Sequence, residues 1–90
     1  MDPLFMPQSS SVEREVLACL LLDPSKTPSV STRLTDDDFV NTVNRFIWRG
    51  ILGAYERHND YDEVILEEVL RDQGTWGRVG GRQLVQLLNR

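Results

Sequence analysis

Few residues in this 90-residue chain can do chemistry, because it holds one histidine and one cysteine. A catalytic set needs a nucleophile, a base and an orienting group within hydrogen-bond reach, and none can be assembled around His58 or Cys19. His58 falls in the last turn of a helical pattern, where an imidazole complements the negative end of the helix dipole. Asp60, Asp62, Glu63, Glu67, Glu68 and Asp72 form an acidic stretch around Arg71. A helix spreads these carboxylates over more than one face, so they read as a solvated or docking surface for a basic partner, not as a metal site. Gly77 to Gly81 has the composition of a phosphate loop. No Lys-Ser/Thr follows it and no strand precedes it, so it reads as a turn before a helix. Arg45 and Arg49 share a helix face at four-residue spacing and are candidate nucleic-acid contacts. A formal charge of −4, from Lys+Arg 10 against Asp+Glu 14, supplies no wider basic field for DNA.

The composition, 40% hydrophobic and 27% charged, is that of an ordinary globular domain. At this length the chain is one small domain or a piece of a larger one, with a thin core. The longest apolar run, residues 16–22, falls short of the ~18–20 residues that cross a bilayer. No Lys or Arg precedes Arg14, which leaves no basic n-region for a signal peptide. The lone Cys19 excludes an internal disulfide and fits a reducing cytoplasm.

The pattern predicts an all-α fold, a compact bundle of about five to six short helices. Residues 1–11, with Pro3 and Pro7, are expected to form a flexible arm whose Leu4, Phe5 and Met6 can dock on a partner or neighbour. Residues 12–90 form the helical domain. A first helix over residues 12–22, capped by Ser10 or Ser11, carries an apolar face of Val12, Val16, Leu17, Leu20 and Leu21, widened by Cys19 and Leu22. Asp23-Pro24 stops it. Residues 24–35 read as a loop with at most one helical turn near residues 30–34, followed by a short turn from Thr35 or Asp36 to Phe39. The strongest periodicity runs from Thr42 to His58: Val43, Phe46, Ile47, Ile51, Ala54 and Tyr55 make the stripe, and Asn44, Arg45, Arg49, Glu56 and Arg57 the polar side. Gly50 and Gly53 predict a close helix crossing. Asp62 caps a helix over residues 63–73, which Gly74 ends. A Gly-rich loop over residues 75–81 then leads to an amphipathic helix over residues 82–90. That last helix reaches Arg90 without a C-cap, as expected where a chain continues. Phe46, Trp48 and Tyr55 read as core. Trp48, near the edge of the stripe, is also a candidate for a subunit interface, and Trp76 either packs its loop onto the core or anchors a partner.

Together the landmarks resemble the N-terminal domain, or globular head, of DnaB-type replicative helicases over about residues 7–88. Pro7, Ser9, Glu13, Leu17, Leu20, Leu22 and Asp23 are similar to the family's Pro-x-Ser-x-x-x-Glu-x-x-x-Leu-x-x-Leu-x-Leu-Asp. Asp38-Phe39 and Asn44-Arg45-Phe46-Ile47-Trp48 resemble Asp-Phe-Tyr followed by His-Arg-x-Ile-Phe. Asp62, Leu66 and Leu70 match Asp-x-x-Thr-Leu-x-x-x-Leu, and Gly80-Gly81 with Val85 and Leu88 matches Gly-Gly-x-x-Tyr-Leu-x-x-Leu. The chain departs from the family at Val40 for Tyr, Asn44 for His, Ile65 for Thr and Cys19 for a small Gly. Ile65 cannot cap, so the cap must move to Asp62 or be lost. The departures suggest a divergent member, of bacterial, phage or plasmid origin.

The resemblance implies a non-enzymatic head that, with a helical hairpin, forms the collar of a ring helicase built as a trimer of dimers. The implied partners are further copies of the chain, the primase C-terminal domain and a helicase loader. ATP and Mg²⁺ belong to a motor domain outside this chain, which has no Gly-x-x-x-x-Gly-Lys-Ser/Thr. Trp48, Arg45, Arg49, Trp76, Glu67 and Glu68 are the candidate interface residues. No membrane contact and little direct nucleic-acid contact are expected. The competing readings are a standalone helicase adaptor or inhibitor with the same fold and a small helix-turn-helix regulator, against which the charge speaks.

Overall fold

A computed structural model describes residues 10–88 of the chain. Five α-helices make up the domain, with no strand among the described residues. They are α1 (Ser10–Leu22), α2 (Thr27–Ser31), α3 (Thr42–His58), α4 (Glu63–Asp72) and α5 (Trp76–Leu88). Short 3-10 turns at Pro24–Lys26 and Asp36–Asp38 connect the first three. The all-α expectation holds. The expected arm lies, over residues 1–9, outside the described residues, and α1 starts at Ser10 rather than Val12.

Local chemistry sets most boundaries. Helix α1 ends before Asp23-Pro24, as the proline requires. Thr35 and Asp38 form a capping box around the 3-10 turn, and Asn41 caps α3 by accepting from the Asn44 amide at 3.0 Å. Asn59 ends α3 in the left-handed region at φ 56°. The Asp62 carboxylate accepts from the Ile65 amide at 2.8 Å, so the cap has moved to Asp62.

Two loop expectations are corrected. The helical turn within residues 24–35 comes early, as α2, because Pro28 fits the first helical turn, where no N–H is needed. The segment expected as a Gly-rich loop is mostly helix. Helix α5 begins at Trp76 and breaks only at Gly80, whose φ of 72° and ψ of 156° suit glycine alone. Burial of Val79 on one side of that break and Leu84 on the other holds both halves to the core, outweighing the weak helix preference of Gly77 and Gly81.

Helix α3 is the axis of the bundle. Ile47, Trp48, Ile51 and Ala54 of α3 meet Leu17 and Leu20 of α1, Leu66, Val69 and Leu70 of α4, and Leu84 and Leu87 of α5 in one core. Helix α4 crosses α3 at the two glycines: a Cβ at Gly50 would lie 2.6 Å from Leu70 Cδ2, and one at Gly53 would lie 2.8 Å from Gln73 Nε2. The predicted stripes need rotation in two helices. On α1, Cys19 and Leu22 face outward, Leu22 at 73% exposure, while Glu13 joins the buried side with Leu17 and Leu20. On α3, Asn44 leaves the expected polar face and is buried beside Trp48. Residues 13, 17 and 20 and residues 44, 48 and 51 keep the same helical spacing, so the stripe shifts by one position without losing its period.

Candidate docking surface

The six candidate interface residues separate into three environments. Trp48 is corrected first: its side chain is fully buried, stacked on Phe39 with centroids 5.1 Å apart, and presents no surface to a partner. It stands one helical turn from Asn44, on the buried stripe itself. Its indole N–H, also buried, has no hydrogen-bond partner among the described residues. Arg45 is half-buried and turns inward, donating from Nε and Nη2 to the Phe39 carbonyl at 3.0 and 2.9 Å. That fork ties the 3-10 turn to α3, and Arg45 is no free contact for a phosphate.

Arg49 is exposed and pairs with Asp36 at 2.6 Å. With Asp36, Glu56, Gln73 and Thr75 it lines an open depression of about 450 Å³ between α3 and the α4–α5 turn. Gln73 crosses it, donating to the Arg49 carbonyl at 3.2 Å. Along α4, Glu67 accepts from Arg71 at 2.9 Å, and the Arg71 guanidinium lies 5.4 Å from the centre of the half-buried Trp76 ring. Trp76 therefore packs against the core with one face and under an arginine with the other. Glu68 stands exposed beside this row. The structure thus links Glu67 to Trp76 through Arg71, leaves Glu68 exposed on α4, places Arg49 in an open depression, turns Arg45 inward and buries Trp48.

Among the described residues no group of three or more His, Cys, Asp or Glu side chains converges as a metal site. The Gly77–Gly81 segment makes no phosphate cradle, since half of it is helical and Arg82 follows where a nucleotide loop needs Lys-Ser/Thr. Arg49, Arg57 and Arg71 are each paired with a carboxylate.

Sequence reasoning missed the two buried polar clasps that position these elements. The Glu13 carboxylate, with no exposed surface, accepts from the Val40 amide at 2.8 Å, the Asn41 amide at 3.3 Å and the Asn44 side-chain amide at 3.0 Å. It thereby caps the start of α3 from another helix, at the positive end of the α3 dipole. The signal was legible: Glu13 sits four and seven residues before Leu17 and Leu20, and both Glu13 and Asn44 are at landmark positions. At the opposite end of α1, the Tyr61 hydroxyl donates to the Leu20 carbonyl at 2.9 Å. Its single proton is thus committed, so Thr27 Oγ1, 3.0 Å away, is the donor to it. Burial pushes the Tyr61 phenol above its ordinary 10.0, against the Thr27 hydrogen bond, which acts the other way.

No helix among the described residues is long and apolar enough to cross a membrane. Comparison with known proteins completes the picture. Residues 6–90 match the family model of the DnaB-like helicase N terminal domain. The chain is 30% identical over 86 residues to a probable replicative DNA helicase of Trieres chinensis, covering 94% of this chain and 19% of that protein. It is 28% identical over 74 residues to the replicative DNA helicase DnaB of Rhodothermus marinus, covering 82% of this chain and 8% of the relative. No solved structure matches significantly. An all-helical bundle held by its landmark glutamate and capping aspartate fits that match, and the chain belongs to the family of DnaB-like helicase N-terminal domains.

Proposed function

We propose that this chain is the non-catalytic head of a replicative DNA helicase, serving ring assembly and the docking of primase or a loader. The observation that carries the reading is the family match over residues 6–90 in a chain spanning a fifth or less of its helicase relatives. The absence of a phosphate-binding motif from the chain supports it, since ATP hydrolysis then belongs to another part of the parent protein, in the cytoplasm where replication runs. Glu67 and Glu68, both on α4, suit a basic partner. A rim of acids steers association.

Light scattering and a titration with the cognate primase C-terminal domain test this reading. The expected result is self-association together with saturable primase binding that Glu67→Lys with Glu68→Lys weakens, leaving the helical fold intact. A chain that stays monomeric and ignores primase at high micromolar concentration overturns it.

A further inference from the structure

A second concavity carries an inference independent of the helicase reading. A groove of about 280 Å³ opens between α1 and the α2 segment. Buried Leu20 and Leu34 and half-buried Val16 and Val30 line it, and its charged lining, Lys26 and Arg33, is wholly basic. In a chain of net charge −4, an apolar trough with cationic lining and no acid is a selective feature.

The chain holds a segment of complementary chemistry. Asp2-Pro3-Leu4-Phe5-Met6-Pro7 offers three consecutive apolar side chains and one acid, with no base. The two prolines bar a regular helix and bias the residues before them toward extended backbone. The lengths agree as well. Five residues separate Phe5 from Ser10 and span up to ~17 Å when extended. Val16 and Leu20 lie six and ten residues into α1, roughly 9 and 15 Å along its axis. A segment of that length, running back along α1, is long enough to reach the level of Val16 and Leu20.

We propose that residues 2–6 of this same chain occupy the groove, with Leu4 and Phe5 on its apolar lining and Asp2 at the basic side chains. Cys19 supplies the reporter, because it lines the groove and is the one thiol of the chain. Maleimide labelling of native Cys19 is compared among the wild type, a chain lacking residues 1–6, and Leu4→Ser with Phe5→Ser. Both variants are expected to label about tenfold faster, the ratio of closed to open segment for a modest local equilibrium. A synthetic peptide of residues 1–9 should restore slow labelling to the shortened chain, and a scrambled peptide should not. Equal rates in all three proteins overturn the proposal. Faster labelling that the peptide fails to reverse also overturns it, because loosening of the whole fold then explains the change. Wild-type protection that disappears on dilution overturns it in favour of a segment reaching in from a second copy.

Discussion

Glu13 and Glu67 are the same side chain on two amphipathic helices, and the fold treats them oppositely. Glu13 is buried without a cation, held by amide donors from the Val40–Asn44 region. Glu67 lies at the surface, paired with Arg71 one turn along its own helix. A buried carboxylate that loses its donors, or donors that lose their carboxylate, bear the full cost of desolvation. An exposed pair exchanges with water and is screened by salt. The opposite charge beside Glu67 is therefore the weaker tie, and the neutral amides around Glu13 are the stronger one. The distinction separates what holds the domain together from what it can offer a partner.

Breaking the buried side of this comparison should have the largest effect. Glu13→Ala orphans the Val40 and Asn41 amides and the Asn44 side chain and should cost ~3–4 kcal/mol, read as a shift in the denaturation midpoint. Combined with Asn44→Ala, the loss should be smaller than the sum of the single losses, since the two share one network.

The helix crossing tests apolar closeness against polar anchoring. Gly50→Ala pushes a methyl into Leu70 and Leu66 and should destabilise by roughly 1–3 kcal/mol despite alanine's better helix propensity. At Gly53 the nearest obstacle is the end of the Gln73 side chain, which can swing aside. Gly53→Ala should stay within about 0.5 kcal/mol of neutral, and an equal loss at both sites would show that propensity, not contact, governs them.

Tyr61→Phe removes the second clasp and should cost about 1 kcal/mol near neutral pH. Its pH signature sharpens the point. With the folded phenol raised above 10.0, the unfolded chain loses that proton first, so wild-type stability should fall as pH climbs past 10.0. Melts of the variant should lack that component of the alkaline decline. Smallest of all is Glu67→Ala, expected to cost under ~0.5 kcal/mol and to vanish in high salt. A loss as large as that of Glu13→Ala would erase the distinction between the two glutamates.

The helices were legible because their signals are local. Thr42 to His58, the Asp62 cap, the stop at Asp23-Pro24 and the left-handed Gly74 each depend on residues a few positions apart. The Gly50 and Gly53 spacing even announced a close helix crossing, which α4 makes. The candidate surface was legible only in part. Glu67 and Glu68 stay toward solvent on α4, whereas Trp48 and Arg45 turn inward, because periodicity locates a stripe to within one position and Trp and Arg sit well on either side of its margin. The residues 75–81 segment was misread for a related reason: glycine lowers helix propensity by a weak, local term that burial of Val79 and Leu84 overrides.

The sequence alone thus determined the class of the fold, the order and ends of most helices and the family landmarks. Each follows from near-neighbour chemistry or from residue types that are simply present or missing. Only the tertiary structure decided which polar groups go inside: Glu13 beneath the start of α3, Asn44 beside it, and Tyr61 between Leu20 and Thr27. Those choices join residues 27 to 41 positions apart, and the partners that satisfy these buried polar groups arrive from that distance.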